Sequence, residues 1–159
     1  MFVKFKPQPP HEHEQVRMVS EKEVEVKTTL KNKMYEFDHV FGSQHSHGKV
    51  FEVGCRQLID HVLGETERQG QANHGLVFVY GNTGTGKTYS MGLLNTLQSN
   101  SAGIVPNSIR YVFDQLTRKK AQYDVSISFS EIYMDEVYDL LALDDDVRLS
   151  IREDSVFCA

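Results

Sequence analysis

Five consecutive apolar residues, Leu76-Val77-Phe78-Val79-Tyr80, run without a break into Gly81-Asn82-Thr83-Gly84-Thr85-Gly86-Lys87-Thr88. The second stretch matches G-x-x-x-x-G-K-[ST]. Such a loop must sit between a strand and a helix, and this constrains the fold more than any other feature of the chain. The apolar run predicts a central strand covered on both faces. Met91, Leu94 and Leu97 recur at helical steps and predict a helix from Lys87 to about Gln98. Gly81, Gly84 and Gly86 let the backbone curl with its amide hydrogens inward, and the start of the helix adds unsatisfied amides and a positive dipole end. The product is a nest shaped for phosphate oxygens.

Within that nest Lys87 is a flexible point charge that reaches the β- and γ-phosphates of a nucleotide, and Thr88 carries the hydroxyl expected on Mg²⁺. Thr83 and Thr85 are either further contacts or residues that cap their own turn. A dinucleotide-binding loop fits less well, because G-x-G-x-x-G lacks the Gly-Lys-Thr ending.

The rest of the chain supplies alternating strands and helices. Residues 2–6 alternate apolar and basic side chains and predict a short strand that ends at Pro7. Val24, Val26, Thr28 and Leu30 alternate with charged or polar residues, so a small antiparallel lobe is expected over about 8–34. Tyr35 to Phe41 alternates again as one strand. Phe51, Cys55, Leu58, Ile59 and Val62 define one face of a helix over 50–63. A third helix starts near Pro106, where proline is tolerated in the first turn, and carries Ile109, Val112, Phe113 and Leu116 as a stripe. Tyr123 to Met134 alternates Val125, Ile127 and Phe129 with serines and predicts a strand. Val137, Leu140 and Leu141 read as an apolar turn, and Leu149 and Ile151 as a short exposed strand. Strands alternating with helices argue for an α/β layered domain, and 159 residues suffice for one domain.

Charge excludes one class of partner. Lys and Arg total 17 against 22 Asp and Glu, a formal charge of -5, so no broad positive field favours a nucleic-acid backbone. The cluster Arg118-Lys119-Lys120 is read as the solvated end of a helix. Cys55 and Cys158 have no partners at metal-ligand spacing and are read as reduced thiols. His11, His13, His39, His45, His47, His61 and His74 show no compact metal arrangement. No stretch approaches the roughly 18 apolar residues of a membrane span, so no membrane partner and an intracellular, cytosolic setting are expected.

The residues around the loop then narrow the reading. Asn73 to Met91 resembles the run that surrounds the P-loop in kinesin motor domains. Further segments are similar in the same order: Val3-Lys4-Phe5-Lys6-Pro7 to V-R-x-R-P, Phe37 to Phe41 to F-D-x-V-F, Gly103 to Pro106 to G-I-[IV]-P, and Glu131 to Leu141 to E-I-Y-N-E-x-V-Y-D-L-L. Leu149 to Asp154 resembles L-x-I-R-E-D. Together they cover nearly the whole chain, with Met134 in place of the usual asparagine.

The resemblance implies a P-loop NTPase fold of kinesin type, with a central mostly parallel sheet flanked by helices, and a chain that holds the first half of that domain over 1–159. It implies ATP or ADP and Mg²⁺ as ligands, with Gly81, Asn82, Thr83, Gly84, Thr85, Gly86, Lys87 and Thr88 at the phosphates and Lys87 and Thr88 in catalytic roles. Lys4, Pro7 and Tyr89 fall where the family places its adenine contacts, with Lys4 replacing the usual arginine. Glu131 is a structural acid in this pattern. The parent protein is then expected to be a microtubule-dependent ATPase, with the microtubule as partner through regions mostly beyond these residues. The alternative is a non-catalytic nucleotide-binding or assembly module derived from a truncated kinesin. For the isolated chain the expectation is inactivity and self-association through exposed apolar edges.

Overall fold

Hydrogen bonding starts from two short segments far apart in sequence. Phe2–Lys4 (β1) and His39–Phe41 (β5) pair in parallel with Phe2 opposite His39, and the Phe5 amide donates to the Phe41 carbonyl at 2.8 Å. The computed structural model describes residues 1–7, 15–64, 73–92, 102–120, 122–144 and 147–152. It divides into two compact units, Met1–Lys120 and Ala121–Ala159. The expectations for Leu94, Leu97, His11, His13, Cys158, Glu153 and Asp154 lie outside the described residues.

In the first unit the expected lobe is an antiparallel sheet of Val16–Met18 (β2), Glu23–Val26 (β3) and Lys33–Glu36 (β4), in that order. It runs past its expected end. The single alternating strand expected over Tyr35 to Phe41 is two strands, because the chain changes partners at Phe37–Asp38: β4 pairs with β3, and β5 with β1. Alternation reports exposure of alternate faces and is blind to which neighbour supplies the hydrogen bonds.

The helix expected over 50–63 is likewise two pieces, His47–Gly54 (α1) and Arg56–Val62 (α2), with Cys55 between them at φ -123°. The break is mild. Cys55 N–H still reaches the Phe51 carbonyl at 2.9 Å, and Ile59 N–H the Cys55 carbonyl at 3.1 Å. Ser46 caps α1 by accepting from the Lys49 amide at 3.2 Å. After the glycine-rich loop, Lys87–Met91 (α3) ends at Gly92, whose left-handed φ of 83° stops the helix while its amide bonds to the Thr88 and Tyr89 carbonyls. Ile104–Lys119 (α4) follows, with Gly103 at its N-cap and Pro106 inside its first turn.

Phe41, Val50, Phe51, Cys55 and Ile104 form the core of this unit, with Ile59, Val79, Met91 and Tyr111 packed against it. Each fully buried large apolar side chain contributes about 1.5–3 kcal/mol, so this cluster fixes β5, α1 and α4 against one another. The stripe expected on α4 is rotated. Tyr111 faces the core with its ring edge-on to Phe51 at 5.7 Å, while Ile109 and Phe113 are exposed. Polar geometry explains the rotation. The Tyr111 hydroxyl accepts from Arg56 Nε at 3.2 Å and donates to Asp60 at 2.7 Å, tying α4 to α2, and Arg56 also pairs with Glu52 at 2.8 Å. The bonds to Glu52 and Tyr111 hold the Arg56 guanidinium above its usual pKa.

The run Leu76 to Tyr80, expected as a buried central strand, has no strand partner among the described residues. Leu76, Phe78 and Tyr80 are 84%, 77% and 66% exposed, and Val79 alone of this run packs on the core. An apolar run becomes a strand only where neighbours accept and donate its hydrogen bonds. The same holds in the second unit. Of the strand expected over Tyr123 to Met134, Ser130–Tyr133 (β6) alone is paired, and Val125 and Ile127 are exposed.

In that second unit β6 pairs antiparallel with Glu136–Asp139 (β7), which pairs with Arg148–Leu149 (β8). Of the residues expected as an apolar turn, Val137 lies on β7, while Leu140 and Leu141 form the turn that follows it. Ile132, Val137 and Leu149 lie in one cross-strand row. Glu131, Tyr138 and Arg148 lie in a row on the other face, where Tyr138 donates to Glu136 at 2.6 Å and Arg148 pairs with Glu136 at 2.5 Å. Glu131 is exposed on this sheet. The fold is α/β with mixed pairing: one parallel pair, and antiparallel pairs elsewhere among the described residues.

Candidate functional site

The loop that follows Tyr80 holds its shape through its own bonds. Gly84 and Gly86 take φ of 81° and 91°, conformations that cost other residues about 1–2 kcal/mol. Between them Thr85 folds back on Asn82, its amide reaching the Asn82 carbonyl at 3.3 Å and its hydroxyl at 2.8 Å. Thr85 thus caps its own turn, the second of the two roles open to it. Gly81 admits this closure, since a Cβ there would lie 2.7 Å from Thr85 Oγ1. Ser90 N–H to the Gly86 carbonyl at 2.9 Å starts the helical bonding that leads out of the loop.

Lys87 turns back over this loop and donates to the carbonyls of Gly81 and Asn82, both at 2.9 Å. A second lysine reaches the same loop from the other end of the unit's sequence: Lys6 Nζ donates to the Gly84 carbonyl at 3.1 Å. Two ammonium groups therefore stand at one glycine-rich turn. Thr83 and Thr88 are exposed. Tyr89 is half-exposed and sets its ring edge-on to the buried His47 at 4.5 Å, which links α3 to the start of α1.

Lys4 lies on β1 opposite Phe41, half-buried, and desolvation lowers its pKa from the ordinary lysine value. Pro7 is exposed just beyond the strand. Among the described residues neither bonds to the loop, whereas Lys6 between them does. The structure thus gathers Gly81, Asn82, Gly84, Thr85 and Lys87, and adds Lys6, which motif spacing passed over. Spacing along residues 2–6 does not mark Lys6 for the loop, because its partner lies 78 positions away and β1 ends at Lys4. An open hollow of about 440 Å³ lined by Ser20, Glu21, Lys22, Glu23 and Glu36 lies on the β2–β3–β4 lobe and includes none of these groups. Among the described residues no cluster of His, Cys, Asp and Glu fits a metal ion, and no helix is long and apolar enough to cross a membrane.

A kinesin motor domain model matches residues 6–157. The chain belongs to that family. Kinesin-like protein KIN-5B of Arabidopsis thaliana is 35% identical over 137 residues, which is 81% of this chain and 12% of the relative. Kinesin-related protein 13 of Dictyostelium discoideum is 35% identical over 131 residues, 82% of this chain and 10% of the relative. Among solved structures, a fast kinesin superposes with a TM-score of 0.78 at 24% identity, covering 98% of this chain and 44% of that one. The Drosophila kinesin family member Kin10/NOD superposes with a TM-score of 0.69 at 24% identity, covering 93% and 49%. The chain thus matches a kinesin motor fold along its whole length while spanning less than half of each solved motor chain.

Proposed function

We propose that the loop from Gly81 to Thr88 binds ATP or ADP with Mg²⁺, and that the parent protein is a microtubule-dependent ATPase of the cytoplasmic cytoskeleton. One observation carries the reading: a glycine turn with two left-handed residues, closed by Thr85 and topped by the Lys87 ammonium, in a chain of the kinesin motor family. The residues fit a polyphosphate. Gly81, Asn82, Thr83, Gly84, Thr85 and Gly86 supply backbone, Lys87 exchanges carbonyl partners for β- and γ-phosphate oxygens, and Thr88 is exposed to meet the metal. When bound, Mg²⁺ neutralises charge that develops on the phosphate oxygens. Lys4, Pro7 and Tyr89 are assigned to the base on family resemblance. The solved complex of Kin10/NOD with divalent manganese and ADP supports this class of ligand.

The same chain in isolation is assigned weak nucleotide affinity, self-association and no turnover. Exposed Leu76, Phe78 and Tyr80 support this, because the segment that leads into the loop presents unpaired apolar surface. Positioning and electrostatic stabilisation carry phosphoryl transfer, and the loop by itself supplies only part of them. Calorimetric titration with Mg·ATP, together with phosphate release with and without microtubules, tests both levels. For the full-length protein, microtubule-stimulated release that is lost in Lys87→Ala is expected. Binding without turnover there would sink the motor reading in favour of the non-catalytic module. In the isolated chain, sustained turnover abolished by Lys87→Ala would refute the inactivity.

A further inference from the structure

We infer that Lys6 is a positioning residue for the phosphate loop. This rests on the nucleotide reading of the loop and adds to it a group outside the G-x-x-x-x-G-K-T run. The Gly84–Thr85 peptide lies between the two left-handed glycines, where backbone freedom is greatest. Its two edges are gripped from opposite sides. Lys6 Nζ donates to the Gly84 carbonyl at 3.1 Å, and the Thr85 amide donates to the Asn82 carbonyl at 3.3 Å. Because a trans peptide is planar with its carbonyl and amide pointing in opposite directions, these two bonds fix the rotation of that plane.

Lys87 is placed differently. Its two bonds go to the Gly81 and Asn82 carbonyls, so three of the loop's first four carbonyls, at 81, 82 and 84, accept from a lysine. When Lys87 turns to a phosphate it releases its pair, whereas Lys6 keeps its hold on Gly84. Lys6 can do this because the base of its side chain is anchored: the neighbouring Phe5 amide donates to the Phe41 carbonyl at 2.8 Å, and Phe41 is fully buried. The core thus sets the peptide plane of the loop through Phe41, Phe5 and Lys6.

Two variants test this, Lys6→Met, which keeps the stem and removes the donor, and Lys6→Arg, which restores one. Inorganic pyrophosphate and Mg·ADP are titrated by calorimetry at millimolar concentration, with the thermal midpoint as a control for folding. Loss of one charged hydrogen bond at an exposed site is expected to weaken both ligands by the same factor, about three- to tenfold, with recovery in Lys6→Arg and an unchanged midpoint. In the ligand-free chain the amide resonances of Gly84 and Thr85 are expected to shift in Lys6→Met and return in Lys6→Arg. A loss confined to Mg·ADP with pyrophosphate unchanged would place Lys6 against the nucleoside and overturn the inference, as would unchanged affinity for both. Should the unsubstituted chain bind neither ligand, the nucleotide reading fails on its own account. The amide resonances then decide the role of Lys6: a shift restored by arginine upholds its grip on the loop, and no shift removes it.

Discussion

Met134 sits where its side chain is least welcome. The two-residue connection between β6 and β7, Met134-Asp135, has φ of 49° and 63°, with Tyr133 opposite Glu136 in register. Positive φ at both central residues is the mark of a type I′ hairpin turn, which favours asparagine, aspartate and glycine. Asp135 suits it. Met134 bears a left-handed cost of about 1–2 kcal/mol that asparagine relieves in part through local hydrogen bonding. Because the methionine side chain is 77% exposed, its removal loses almost no buried surface to offset that relief. Met134→Asn is therefore expected to stabilise the hairpin by about 0.5–1 kcal/mol. Native-state amide exchange reads this locally, with the protected amides of Ser130–Tyr133 and Glu136–Asp139 slowing about two- to fivefold. Met134→Ala is the control, since it trims the side chain and keeps the backbone cost. Equal slowing in both variants would show that the side chain and not the turn sets the penalty, and no slowing in the asparagine variant would refute the argument.

Two further outcomes follow from the first unit. A Cβ on Gly92 would lie 2.6 Å from the Gly103 backbone, so Gly92→Ala is expected to cost roughly 2–4 kcal/mol in urea denaturation; Gly84→Ala, also left-handed but with open space around it, is expected to cost only about 1 kcal/mol. Burial raises the Cys55 thiol pKa, so in a Cys158→Ser background Cys55 is expected to label slowly with a thiol reagent at pH 8, and to speed up as pH rises or as denaturant opens the core.

What was legible in the sequence is what neighbours along the chain determine. The shape of the glycine-rich loop is held by bonds within eight residues, Thr85 to Asn82 and Lys87 to Gly81 and Asn82, and its pattern of glycine, threonine and lysine marks such a closed turn. The β2–β3–β4 lobe was legible as alternation, yet its end was not, because nothing in the spacing of Tyr35 to Phe41 marks the switch of partner at Phe37–Asp38. The Tyr111 hydroxyl was read as neither core nor polar contact, although it bonds both Arg56 and Asp60 across two helices. No period along α4 encodes such a pairing. Lys6 was passed over for the same reason, since its partner lies 78 positions away.

The loop and the apolar segment that leads into it therefore obey different rules. Leu76 to Tyr80 has the composition of a buried strand and is exposed, so its structure depends on partners outside its own sequence. The loop at its end is already closed by short-range bonds and by two lysines, independently of how that segment is paired. On the nucleotide-binding reading proposed above, two separable contributions to affinity follow: a local one from the closed loop, and one from the fixed placement of the loop on a paired sheet, which exposed Leu76, Phe78 and Tyr80 do not supply. Variation within the loop acts on the first, and pairing of the segment acts on the second. On that reading the chain keeps the shape of its glycine turn and is expected to bind phosphate weakly.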